Sequence, residues 1–344
     1  MKSNNIRLAI THGDINGVGY EVILKTFSDS RMYEHCTPIL YGSTKVASYH
    51  KKLLGQQHQE MTFSAILEAG QHKDRKFNVI NLTNDEVKID IGKSTEIAGD
   101  LSRQALDRAV EDLKKGEVDV VVTAPINKKN IQSGEFDFPG HTEYFSQQFG
   151  AESLMMMVCD KIRIGIMTNH LALKDVPAAI TRENLLKKLH IMHDSLKRDF
   201  GIPMPKIAVL AVDPHAGDKG VIGDQDTTVV KPALDEAMEQ GILAYGPYPS
   251  DGFFGSSEFS KFDGVLALYH DQGLIPFKLM SFTDGVNFTA GLPIVRTSPA
   301  HGTGYDIAGK DKASEQSFRA AVFLACKIHQ NRKEYDELTK DPLK

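Results

Sequence analysis

Short apolar runs alternate with amphipathic stretches along almost the whole chain, which predicts an α/β fold with a mostly parallel sheet. Strands are expected at 6–11, 38–42, 61–67, 77–80, 118–123 and 206–212, and in the run from Val265 to Tyr269. Residues 86–91 alternate as a half-exposed strand would. Helices are expected at 20–27, at 43–54 with Ser43 as cap, at 95–115 with Gly116 as stop, and from Ala124 onward. Others follow at 181–200, 227–240 and 317–330, and one begins after Pro139–Gly140 with Thr142 as cap. In 95–115 the residues Ile97, Leu101, Ala105, Leu106, Ala109, Val110 and Leu113 compose one apolar face. In 181–200 the apolar face leaves His190 and His193 on the solvated side. The runs 155–159 and 162–168 read as a hairpin. Together with 285–290 and 293–296 they look antiparallel, so the sheet is expected to be mixed. Residues 246–255 and 298–314 read as loops, Gly273 as a turn, and the charged tail after Asn331 as frayed.

Composition narrows the picture. A chain of 344 residues suggests about two domains, or one large one, with a substantial core. The 45 acidic and 40 basic residues are interspersed, and the absence of a basic stripe argues against a nucleic-acid partner. Cys36, Cys159 and Cys326 are too scattered for a disulfide framework or a cysteine metal cage. No stretch suits a signal peptide or a membrane span, so a cytoplasmic protein with no membrane partner is expected.

Candidate chemistry gathers at the ends of the strands. His141, His215, His270 and His301 lie in glycine loops after strands or at helix starts, and His170 ends a strand. His170, His215 and His270 each follow a buried strand directly, so an α/β sheet sets their mouths along one edge. Three neutral imidazoles and an open position suit a divalent metal, zinc, cobalt, nickel or ferrous iron before magnesium. Without an HxH or HExxH spacing, three unrelated loop histidines is an equal reading. Lys278, Asn287 and Arg296 lie on consecutive short elements and suit an anion; surface charge is the alternative, which Arg296 weakens by closing an apolar strand. The first glycine loop (HGDINGVGYE) either binds an anion or simply makes a tight turn, with Asp14 and Glu21 as its ligand-facing candidates.

The segment HGTGYDIAGK, beginning at His301, resembles the HGSAPDIAGK loop that surrounds the adenosine end of NAD in isopropylmalate and isocitrate dehydrogenases. With TAPINK, PGHTE, DPHAG, YHDQG and GVNFTAGLPIVRTS, the chain from Thr11 to Gly309 resembles the 4-hydroxythreonine-4-phosphate dehydrogenase family. That resemblance implies a two-lobed, isocitrate dehydrogenase-like α/β fold with mixed sheets and an active site in the cleft between lobes. Residues 1–127 plus 297–344 would form the cofactor-side lobe, and 128–296 the metal, substrate and dimerisation lobe. It implies metal ligation by His170, His215 and His270, with zinc, cobalt or magnesium as the ion. It implies substrate contacts from His141, Thr142, Lys278, Asn287 and Arg296, and NAD or NADP contacts from His301, Gly302 and Asp306. Lys278 and Asp271 are the proton-transfer candidates, and a homodimer completes each site with ligands from both subunits.

The reaction so implied is oxidation of 4-phosphohydroxy-L-threonine to a 3-oxo acid, which decarboxylates to 3-amino-2-oxopropyl phosphate in pyridoxal phosphate biosynthesis. The family's TPGDPAGIGPE is here THGDINGVGYE, with His12, Ile15 and Tyr20 at usual proline positions, and its NPHAGE is DPHAGD, with Asp213 and Asp218. Two alternatives stand beside it: a paralogue acting on threonate or erythronate 4-phosphate, and a three-histidine metal hydrolase with Asp271 as base.

Overall fold

The computed structural model describes residues 5–83, 86–132 and 138–341. Its strands are β1 (Ile6–Thr11), β2 (Cys36–Gly42), β3 (Phe63–Ile66), β4 (Phe77–Asn81), β5 (Val120–Thr123), β6 (Leu154–Val158), β7 (Arg163–Thr168), β8 (Lys206–Leu210), β9 (Leu243–Tyr248), β10 (Gly264–Tyr269), β11 (Val286–Ala290) and β12 (Val295–Pro299). The chain divides into two compact units. One comprises Met1–Gln148 and Ile294–His329, the other Phe149–Pro293 and Gln330–Lys344.

In the first unit six strands run in the order β3-β4-β2-β1-β5-β12, all parallel. Covered parallel strands are buried on both faces, so β2 and β5 read as continuous apolar runs with few polar interruptions. Helix Glu96–Lys114 begins where Thr95 accepts a hydrogen bond from Ala98 N, and Gly116, at φ +70°, lets the chain leave it. Its inward face is the expected one except for Ile97, which is exposed.

The second unit has the order β11-β6-β7-β10-β8-β9. β6 is antiparallel to both β11 and β7, and the remaining pairs are parallel. The mixed pattern is as expected for the 155–168 hairpin and for β11, but β12 is parallel to β5. The amphipathic helix Arg182–Arg198 is capped by Thr181 and buries Leu185, Leu189, Met192 and Leu196. His190 is exposed as expected, whereas His193 is half-buried. Among the described residues no helix is long and apolar enough to cross a membrane.

Other expectations fail for identifiable reasons. Residues 86–91 form no strand, because Asp90 N and Gly92 N bond to the side chain and carbonyl of Asn16 rather than to a ladder. No helix starts at Ala124: Asn127 Oδ1 accepts from the amides of Lys129 and Asn130, and such side-chain turns compete with helix. Thr142 does not cap its helix but lies inside its first turn, since the helix already begins at His141. The 246–255 loop instead contains the end of β9 and a short helix, Ser250–Gly255. Gly273 turns nothing. It lies within helix His270–Met280, where a Cβ would meet Ile166 Cδ1 at 2.4 Å, so glycine lets the helix lie close on β7. The tail after Asn331 continues helix Gln316–Leu338, fixed where Arg332 Nε meets Asp199 Oδ1 at 2.6 Å.

Candidate active site

Parallel strands present their C-terminal ends along one edge, and loops there are the usual ligand sites of α/β sheets. In the first unit, the loops after the neighbouring strands β1, β5 and β12 are 12–18, 124–132 and 300–315. Asp14 and Glu21 turn inward and join these loops instead of facing open space. Asp14 is fully buried and accepts from Asn16 N, Asn130 Nδ2 and Tyr305 OH. Glu21 Oε1 accepts from Lys25 Nζ and Ala313 N, each at 2.8 Å. His301 is exposed and its Nδ1 donates to the Gly302 carbonyl at 2.9 Å. Gly302 has open space where a Cβ would stand, and Asp306 is exposed.

Arg296 lies inside β12, fully buried, with Nη2 and Nε donating to Thr123 Oγ1 at 2.7 and 3.2 Å. Burial lowers its pKa to about 9, partly opposed by Glu143, so it remains a cation at neutral pH. His141 opens helix His141–Phe149, and its Nε2 is shut from solvent without a hydrogen-bond partner. Desolvation and the charges of Arg296 and Lys128 hold it well below the usual imidazole pKa, and therefore neutral. Thr142 beside it is buried. His141, Thr142 and Arg296 thus belong to the first unit, and Arg296 is near enough to act electrostatically on His141.

Lys278, Asn287 and the three histidines belong to the second. β7, β10 and β8 are neighbouring parallel strands, and His170, His270 and His215 follow their C-terminal ends. The rings of His170 and His270 have centroids 6.1 Å apart. His270 Nδ1 donates to Asp271 Oδ1 at 2.7 Å, which leaves Nε2 as the free lone pair. His215 lies in a left-handed turn in which His215, Ala216, Gly217, Asp218 and Lys219 all have positive φ. Such backbone costs roughly 1–2 kcal/mol per non-glycine residue and commonly marks function. Among the described residues, no three His, Cys, Asp or Glu side chains of the single chain form a metal-ligating group. The structure therefore brings His170 and His270 together but does not bring His215 in with them. Lys278 is exposed in the last turn of helix His270–Met280. Asn287 is half-buried on β11, its Oδ1 enclosed without a partner.

Thr123 and Gln272 are polar groups of these strand ends that the sequence alone did not single out, and Asp14 is a buried tie rather than a ligand-facing group. Gln272 is buried, accepts from Leu268 N at 2.7 Å, and donates to the Ala211 carbonyl at 2.6 Å and to Ser250 Oγ at 2.9 Å. It thereby ties the ends of β10 and β8, from which His270 and His215 emerge. Its place in HDQG, directly after a buried strand, was the available signal.

Three comparisons bear on this arrangement. Residues 34–325 match the family model described as pyridoxal phosphate biosynthetic protein PdxA. A 4-hydroxythreonine-4-phosphate dehydrogenase of Bacteroides thetaiotaomicron is 51% identical over 346 residues, covering 100% of this chain and 94% of the relative. One from a Sulfurihydrogenibium species is 38% identical, covering 95% of this chain and 100% of the relative. Among solved structures, a 4-hydroxythreonine-4-phosphate dehydrogenase from Klebsiella pneumoniae superposes with a TM-score of 0.81 at 30% identity, over 95% of this chain and 100% of that one. A terephthalate 1,2-cis-dihydrodiol dehydrogenase from Burkholderia xenovorans, at 20% identity and TM-score 0.62, shares the fold.

Proposed function

The chain belongs to the PdxA family of pyridoxal phosphate biosynthetic proteins, and on that premise we propose that it is a dehydrogenase of 4-phosphohydroxy-L-threonine. The product is a 3-oxo acid that loses carbon dioxide to give 3-amino-2-oxopropyl phosphate. The observation that carries this reading is the end-to-end correspondence with the Bacteroides relative. The departures in the first loop do not favour a different substrate. His12, Tyr20 and His50 form a buried stack, with ring centroids 5.3 and 5.0 Å apart, so these changes alter packing.

The hydride acceptor is NAD or NADP, received by His301, Gly302 and Asp306 at the open loop after β12. Arg296 supplies a buried cation for the substrate's phosphate or carboxylate, held in place by Thr123. Neutral His141 and Thr142, with Lys278 and Asn287, complete the polar contacts; the enclosed Nε2 of His141 and Oδ1 of Asn287 await partners of this kind. Lys278 is the proton-transfer candidate. Asp271 orients His270 through Nδ1 and so acts as a positioning residue.

A divalent ion, zinc or cobalt by ligand type, would be held by His170, His270 and His215. When bound, it supplies Lewis-acid polarisation of the alcohol and then of the ketone. Among the described residues one chain brings no three such ligands together, and the reading is that the set is shared between two subunits of a homodimer. Ile275, Leu279 and Phe282, exposed along and just beyond the helix that begins at His270, support such an interface.

Purified protein with the phosphorylated hydroxythreonine, a nicotinamide nucleotide and zinc or cobalt should generate the absorbance of the reduced cofactor. Turnover with threonate or erythronate 4-phosphate alone would replace the substrate assignment with that of the paralogue.

A further inference from the structure

We propose that Asp14 is a positioning residue for the nicotinamide nucleotide, its carboxylate fixing the loop that carries His301, Gly302 and Asp306. The inference rests on the reading of that loop as the nucleotide site. Three features lead to it.

First, Asp14 is completely buried, yet its hydrogen-bond donors are all neutral. Oδ1 accepts from Asn16 N at 2.8 Å, and Oδ2 from Asn130 Nδ2 at 2.7 Å and Tyr305 OH at 2.6 Å. A carboxylate held this way can be kept only by precise donor placement, because desolvating it is costly.

Second, the three donors come from three loops that follow three neighbouring parallel strands, β1, β5 and β12. Tyr305 OH also accepts from Asn127 Nδ2 at 3.0 Å, which doubles the link to the loop after β5. One side chain therefore links the loops after three adjacent strands of this edge.

Third, the 300–315 loop contains turns but no helix or strand, so its shape depends on its ties. At the far end Lys25 bonds Asp311 and the Ala313 carbonyl. At the near end Val18 N donates to the Thr303 carbonyl at 2.9 Å, and Gly17 is bare where a Cβ would stand 2.6 Å from that oxygen. The Tyr305–Asp14 bond, with that from Asn127 to the same hydroxyl, is a side-chain tie at that near end, one residue before Asp306.

The test compares Asp14→Asn and Tyr305→Phe with Tyr41→Phe. Tyr41 also donates to a carboxylate, Asp112 at 2.8 Å, in the same unit but on helix Glu96–Lys114 rather than in these loops. Fluorescence titration with NADH and NADPH gives the dissociation constants, steady-state assays give KM and kcat, and thermal melts report stability. Asp14→Asn should weaken nucleotide binding about tenfold and Tyr305→Phe about threefold, a lost hydrogen bond being worth about 1 kcal/mol. In both, kcat at saturating nucleotide should stay within about twofold, with the loss in the nucleotide KM. Tyr41→Phe should lower the melting temperature and leave nucleotide affinity unchanged. Unaltered dissociation constants in Tyr305→Phe overturn the proposal even if Asp14→Asn does not fold, as does a fall in kcat without a change in affinity. Failure of the unmodified protein to bind either nucleotide overturns the reading of the loop beneath it, and the proposal with it.

Discussion

Thr123 Oγ1 stands 2.7 Å from Nη2 of Arg296, across two neighbouring parallel strands, and so anchors a guanidinium inside the sheet. Thr123→Val keeps the shape and removes both hydrogen bonds. The KM for the phosphorylated substrate should rise roughly threefold to tenfold, with little change in nucleotide affinity. Arg296→Lys, which removes the planar fork, should raise it by more than about tenfold.

The same guanidinium predicts a pH limit. Burial brings its pKa down to about 9, so the cation is present at neutral pH and is lost as pH rises through that value. Plotted against pH, log KM for the substrate should turn upward near 9 with a limiting slope of about one. A flat profile up to pH 10 in a protein that remains folded would show that the guanidinium keeps its proton despite its burial.

Acid should destabilise the fold through the aromatic stack. Burial lowers both His12 and His50 from 6.5 to about 4. Between those values the unfolded chain binds protons that the folded one refuses, so stability falls as pH drops from 6.5 towards 4 and levels off below. The loss is roughly 3 kcal/mol for each imidazole. Urea midpoints across this range should fall in the unmodified protein and show a shallower slope in His50→Gln.

Metal content and subunit association should be lost together. Leu279→Arg and Phe282→Asp alter exposed apolar side chains that the monomer's core does not need. Sedimentation should show monomers, and elemental analysis should show loss of stoichiometric metal. His215→Ala should lose the metal without losing the dimer. A monomeric variant that keeps its metal would refute shared ligation.

Asp199 accepts from Ser195 Oγ and from Arg332 Nε, each at 2.6 Å, in a buried setting. Asp199→Ala leaves a buried guanidinium without its carboxylate and should cost roughly 3–5 kcal/mol of stability, read as a lower melting temperature.

These residues also show what the sequence could convey. Strand mouths and their histidines were legible because period and punctuation are local: β7, β8 and β10 end where apolar runs meet His or Asp-Pro-His. Arg296 stood out because a charge closing an apolar strand is costly without purpose, and the structure sets it inside β12. Its partner Thr123 did not, since nothing local ties a threonine to an arginine 173 positions away. Asp14 showed as a polar residue in a glycine loop, but its partners Asn130 and Tyr305 are set by the order of strands in the sheet. Residues 86–91 alternate as a strand does, yet the amides of Asp90 and of the following Gly92 are claimed by Asn16, a tertiary competitor that periodicity cannot register. The helical tail was misread for the same reason: its charged composition is that of a frayed end until Asp199 pairs with Arg332.

Gly273 bears on the proposed metal site. Because it has no side chain, helix His270–Met280 lies directly on β7, and Ile164, Ile166 and Ala267 leave that helix no slack. His270 at the head of the helix and His170 just past the end of β7 are thus mounted on one rigid block. Their separation is set by hydrocarbon contact, before any ion arrives. If the proposed ion is held there, it should load and exchange without refolding, and circular dichroism should stay unchanged on metal exchange. Gly273→Ala would then act as a remote lever, altering which ion fits best while touching no ligand.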